Sequence, residues 1–151
     1  MDKIRVTKEF NFEMAHALYG YDGPCKNIHG HSYRLSVSII GEINNQKNNP
    51  KNGMVLDFTD LKKIVNAQII DQFDHTLVLN ANSPHKKFVE KENIFEKIIL
   101  VDYQPTCENL LIDFVKKIMP HLSSTMKLHH LRLSETSTSC AEWYAEDNKS
   151  I

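Results

Sequence analysis

HGHSYRLSVSI, residues 29–39, has the period of a β-strand: His29, His31, Tyr33, Leu35, Val37 and Ile39 fall on one side, and Ser32, Arg34, Ser36 and Ser38 on the other. One face is therefore apolar and begins with two imidazoles. Upstream, the residues from Ile4 to His16 alternate as well, with Phe10, Phe12, Met14 and His16 sharing one parity. The intervening loop holds Tyr19, Gly20, Asp22, Gly23 and Pro24. If the two strands pair as a hairpin, His16 comes across to His29 and His31 and three imidazoles converge.

The rest of the chain arranges itself around that pair. NNQKNNPKNG, residues 44–53, is a polar connector with nothing to anchor in a core. A helix follows, capped by Asp57 or Thr59, with Phe58, Leu61, Val65, Ile69 and Phe73 at helical spacing up to the Asp74-His75 pair. The charged stretch KKFVEKENIFEKIILVDY, residues 86–103, is ambiguous, since Ile98–Val101 suits a short strand or a helix end. A second helix begins after Pro105, with Thr106 as N-cap, Leu110, Leu111, Phe114, Val115 and Ile118 inward, and Pro120 as its stop. Two strands close the chain, about 127–136 and 140–145. The order ββααββ predicts an α+β fold with an antiparallel sheet and helices on one face, in one domain spanning 1–151.

With 18 basic and 19 acidic side chains among 151 residues, the net charge is −1, and no block of like charge marks a surface for nucleic acid or membrane. No run of about 18 apolar residues is present, and MDKIRVTKEF lacks the apolar stretch of a secretory signal. A cytoplasmic protein acting on a small molecule or a protein partner is expected. Cys25, Cys107 and Cys140 are expected as free thiols.

Three imidazoles with a vacant fourth position form the donor set of a catalytic zinc site; the alternative is a polar strand start beside a core histidine at position 16. Cys25, four residues before His29, admits three readings: a fourth ligand that closes the site, a thiol biased toward thiolate beside a dication, or a small buried residue. Glu135 shares the parity of Leu131 and Leu133, so in a regular strand its carboxylate points inward and needs N–H donors, whereas a bulge would turn it out. Asp74-His75 and Glu108 also suit the two ends of helix dipoles.

Taken in order, FNFEMAHAL (10–18), CKNIHGHSY (25–33), GMVLDFTDLK (53–62), FDHTLVLN (73–80), PTCENL (105–110) and LSETSTSCAEWY (133–144) closely resemble the family of 6-pyruvoyltetrahydropterin and 6-carboxytetrahydropterin synthases. The resemblance implies the tunnelling fold: a four-stranded antiparallel sheet with two helices on one side, assembling by its edges into trimers that stack as hexamers, with sites between subunits. It further implies Zn2+ on His16, His29 and His31, Cys25 as catalytic base, and Asp74 with His75 as a proton relay from a neighbouring subunit. Glu135 is implied as the anchor of a pterin, with the backbone around Thr106 and Cys107, and Glu108 nearby, lining the pocket. The implied substrate is 7,8-dihydroneopterin triphosphate. The three residues between Cys25 and HGH, Lys26, Asn27 and Ile28, resemble the carboxy-forming branch of 7-deazaguanine (queuosine) biosynthesis; the alternatives are a pyruvoyl-forming enzyme and a non-catalytic zinc or pterin-binding module. Segments 44–52 and 81–103 depart from compact members by their length. Lys26, Lys86, Lys87 and Lys91 are either electrostatic aids to a phosphate or solvated surface residues.

Overall fold

Strand β1 (Lys3–His16) pairs antiparallel with β2 (His29–Glu42) along its whole length, from Lys3 opposite Glu42 to His16 opposite His29. The computed structural model describes residues 2–148; Met1 and residues 149–151 of the expected domain lie outside the described residues. The shared inward face of this ribbon, Phe10, Phe12 and Met14 with Tyr33, Leu35, Val37 and Ile39, is buried as the alternation requires. The opposite face is polar, and its cross-strand neighbours bond to one another: Ser32 donates to Glu13 (2.8 Å), Ser36 donates to Glu9 (3.2 Å), and the Thr7 and Ser38 hydroxyls lie 2.6 Å apart.

Two helical segments cover the apolar face. Helix α1 (Phe58–Val65) starts from the Asp57 side chain, which accepts from the Thr59 N–H at 2.8 Å. It runs on through a π-helical turn, Asn66–Ile70, into the short α2 (Asp71–Phe73). The wide turn has a reason in the sequence. Leu61, Val65, Ile69 and Phe73 repeat every four residues, a stripe that drifts by about 40° per step around an α-helix of 3.6 residues per turn; one wider turn brings it back over the sheet. All four are buried, whereas Phe58, just after the cap and off that stripe, is exposed. The later helix, α4 (Cys107–Ile118), is capped by Thr106 and buries Leu110, Leu111, Phe114, Val115 and Ile118 as expected. Phe114 meets Phe12 and Phe73 edge-on, with centroids at 6.0 and 4.9 Å, and joins the helices to the ribbon.

The sheet corrects the expected architecture. Among the described residues it has six strands, not four, and is mixed, in the order β4-β3-β1-β2-β5-β6. The additions are β3 (Thr76–Asn80), parallel to β1, and β4 (Ile98–Val101), parallel to β3. Neither alternates, because both faces are covered. Val78 joins the main core, while Leu77 and Leu79 meet Ala17 and Val89 on the other side. Val89 belongs to a third sizeable helix, α3 (His85–Glu92), so the helices are not confined to one face. At the far side, β5 (Lys127–Ser134) pairs antiparallel with β2 and with the edge strand β6 (Cys140–Tyr144). No helix among the described residues is long and apolar enough to cross a membrane.

Candidate metal centre and active site

The open end of the β1–β2 ribbon carries the imidazoles. His16 is the last residue of β1 and His29, directly opposite, the first of β2; His31 lies one inward step further along. The loop between them is held by the Leu18 N–H donating to the Cys25 carbonyl (2.9 Å), which lays a single 3-10 turn, Pro24–Lys26, beside the end of β1. The ligand-type nitrogens of the three histidines lie within 4.8 Å of one another and could hold a metal ion.

Hydrogen bonding settles which nitrogens face inward. His16 Nδ1 lies 2.7 Å from the Pro105 carbonyl and His29 Nδ1 lies 2.8 Å from the Asn27 carbonyl; since a carbonyl only accepts, both Nδ1 atoms carry the proton and donate. Each neutral ring then presents a lone pair at Nε2, and those two Nε2 atoms stand 3.0 Å apart. With the rings in that form neither Nε2 has a proton to donate, and a cation between them would accept both lone pairs. His31 Nε2 is buried with no hydrogen-bond partner among the described residues. Three clustered nitrogens, two of the rings oriented by main-chain carbonyls, could hold a metal ion, and the outer bonds are those that metal-ligating histidines make.

Burial lowers the pKa of His16 below its ordinary 6.5, with His29 and His31 also lowering it against the opposing pull of the Pro105 carbonyl and Glu135. His31 is lowered too, by desolvation first, partly offset by Glu135. Between those lowered values and 6.5 the unfolded chain binds protons that the folded chain does not, so stability without metal rises with pH and is lost as pH falls through that window. Asp57 and Asp74 sit below their ordinary 3.8 and act at lower pH. The expected result is that the melting temperature of metal-free protein falls between about pH 7 and about pH 5; a melting temperature that rises over that range would contradict the assignment.

Beside the imidazoles is a cavity of about 140 Å³ lined by His16, His29, Cys25, Thr106, Cys107, Glu108 and Glu135, together with Leu18 and residues 139–141. Eight of the ten residues that the resemblance implies for the site thus meet at one place, seven on the cavity wall and His31 in the imidazole cluster. Strand β5 stops at Ser134, and the Glu135 N–H donates to the Ser139 carbonyl (3.1 Å) as the chain turns. The Glu135 carboxylate nonetheless points inward: its Oε1 is 3.5 Å from Nε2 of His16 and of His31, and accepts from the Tyr33 hydroxyl at 3.2 Å. Cys107 is a neutral wall. Burial, then the Glu135 charge, pushes its thiol up to about 12, and Sγ donates to the Leu133 carbonyl at 3.3 Å. Cys140 and Tyr33 were not among the expected site residues. Cys140 had a signal in the TSTSCA turn, and Tyr33 in sharing the parity of His29 and His31.

Asp74 and His75 stand elsewhere. They follow α2, where Asp74 Oδ1 accepts from the Glu13 N–H (2.8 Å) and Oδ2 lies 3.0 Å from His75 Nδ1. The Glu13 N–H, then His75, holds the Asp74 carboxyl below the usual carboxylate range. His75 has a left-handed φ of 56°, and its side chain is 77% exposed, over a hollow that it shares with Glu13, Gly30, His31 and Ser32. Within one chain the pair does not line the cavity of Cys25 and Glu135.

Fold and site together define an α+β protein in which a candidate metal centre faces a thiol and a carboxylate across a small cavity. The chain belongs to the 6-pyruvoyl tetrahydropterin synthase family, whose profile matches residues 5–146, and it is an enzyme, a lyase. It is 35% identical over 142 residues to the 6-carboxy-5,6,7,8-tetrahydropterin synthase of Haemophilus influenzae, covering 93% of this chain and 98% of that one. To the protein of the same name from Aquifex aeolicus it is 28% identical over 169 residues, covering 95% and 99%. Among solved structures, the 6-pyruvoyl tetrahydropterin synthase of Caenorhabditis elegans superposes with a TM-score of 0.68 at 25% identity, covering 96% of this chain and 97% of that one. An uncharacterized protein from Wolinella succinogenes shares the fold, with a TM-score of 0.76 at 19% identity, covering 96% and 99%.

Proposed function

We propose that this chain converts 7,8-dihydroneopterin triphosphate and water to 6-carboxy-5,6,7,8-tetrahydropterin, acetaldehyde and triphosphate, in the cytoplasm and as a step of 7-deazaguanine (queuosine) biosynthesis. The observation that carries this reading is the cluster of three histidine nitrogens beside a cavity whose wall holds Cys25 and Glu135. Three neutral imidazoles form the donor set of catalytic zinc, and a zinc ion held by His16, His29 and His31 would supply Lewis acidity toward the substrate's side-chain hydroxyls.

The chain's own groups do the rest. Glu135 accepts from adjacent ring N–H and amino donors of the pterin, a charge-assisted bidentate contact that orients the ring and satisfies the carboxylate. The Cys25 thiolate takes a proton from the side-chain carbon next to the hydroxyls, and triphosphate leaves by elimination. Thr106, Cys107 and Glu108 shape the wall against which the ring lies.

The cavity of one chain, about 140 Å³, is smaller than the ~300–1,000 Å³ typical of ligand pockets. A second copy is therefore assigned the missing wall. The exposed Asp74–His75 pair is a relay that one subunit offers to its neighbour, in a trimer or hexamer joined through the free edges of β4 and β6.

The likeness to the C. elegans enzyme favours a second reading, in which triphosphate is eliminated and the three-carbon side chain is kept. Mass spectrometry of the products separates the two. Acetaldehyde with a carboxypterin is expected; a pterin that retains all three side-chain carbons, without acetaldehyde, overturns the carboxy assignment.

A further inference from the structure

The Tyr33 ring is buried in the ribbon's inward row, stacked on Phe12 with centroids 5.1 Å apart and planes 8° from parallel. Its upper edge meets the rings of His16 and His31 at 6.2 and 5.5 Å, so it is wedged beneath the metal centre. The hydroxyl lies 3.2 Å from Glu135 Oε1, the same oxygen that stands 3.5 Å from two of the inward nitrogens. An anionic oxygen so placed is drawn toward any cation those nitrogens hold. Closing on it would add a carboxylate ligand and remove Glu135 from the side where a ring must be received.

We infer that Tyr33 is a positioning residue: its hydroxyl holds the Glu135 carboxylate off the metal centre and turned toward the incoming ligand. A carboxylate has about four acceptor positions. Tyr33 occupies one and leaves both oxygens able to accept from a pair of N–H donors. The hydroxyl is the donor of this pair, because a carboxylate oxygen only accepts. The packed ring prevents it from following the carboxylate.

The inference rests on Glu135 anchoring the pterin, and the experiment separates the two. Tyr33→Phe keeps the ring and its stacking and removes only the oxygen. Thermal unfolding confirms that the variant folds. With neopterin as fluorescent probe, its affinity for metal-free Tyr33→Phe protein is expected to fall about tenfold or more, the size of a lost hydrogen bond to a charged group. KM is expected to rise in parallel while kcat changes less. In cobalt(II)-substituted protein the visible absorption bands are expected to shift as a carboxylate joins the metal, and the shift to disappear in Tyr33→Phe/Glu135→Gln. A merely structural role for the tyrosine would move neither neopterin affinity nor the cobalt bands. If Glu135→Gln weakens neopterin binding but Tyr33→Phe does not, or if the cobalt bands are unchanged, the inference about Tyr33 is overturned and the anchor remains. If Glu135→Gln binds neopterin as the wild type does, the anchor reading falls, and this inference with it.

Discussion

Cys25→Ala is expected to lower kcat by a factor of about 10² to 10⁴, the usual contribution of a positioned general base, while zinc still binds one per chain. Cys25 lies on the cavity wall with His16, His29 and Glu135, which on the proposed reading puts its thiol beside the substrate side chain. Its place is set by the main chain, through the Leu18 N–H to Cys25 carbonyl bond at 2.9 Å, which alanine leaves intact. The substitution should therefore remove the sulfur without moving the turn. The imidazoles take their orientation from Pro105 and Asn27, not from Cys25, so metal affinity should barely change. Two measurements decide the matter together, turnover by triphosphate release and metal content by atomic spectroscopy. Loss of zinc in Cys25→Ala would make the cysteine a fourth ligand and the site structural; full turnover would remove its role as base.

The second large effect concerns the metal itself. His31→Ala is expected to abolish stoichiometric zinc binding and turnover while leaving the fold intact, because the His31 side chain is 19% exposed against 2% for His16. His16→Ala should do the same and also destabilise the protein. His16 is 1% exposed, and its removal strands the buried Pro105 carbonyl, a penalty of about 1–3 kcal/mol. Thermal unfolding of metal-free protein separates the two substitutions, since only His16→Ala should melt earlier. One zinc per chain in His31→Ala would refute the three-nitrogen centre.

Strand parity made most of the site legible. In β1 and β2 one face is buried and the other wet, so period two appears in the letters themselves, and His16, His29 and His31 fall on the inward rows with Phe12 and Tyr33. Parity also aimed Glu135 inward, although its strand ends one residue earlier. The same rule explains what stayed hidden. Thr76–Leu79 and Ile98–Val101 are covered on both faces, alternation vanishes, and two parallel strands look like short apolar runs. Helix α3 turns only Val89 inward, too little for a periodic signal. Tyr33 was masked because an aromatic in an apolar row reads as packing, and its hydroxyl matters only through Glu135, 102 positions away in the sequence. The oxygens that orient His16 and His29 belong to peptide groups and have no letter of their own.

That last feature bears on how the protein tolerates change. Because the latch on each ring is a peptide oxygen, the side chains at positions 27 and 105 can drift while the imidazoles keep their facing, provided the chain follows the same path. An insertion or deletion in residues 17–28, or just ahead of Thr106, is the lesion that would unseat the rings, so length in those two loops is under tighter constraint than spelling.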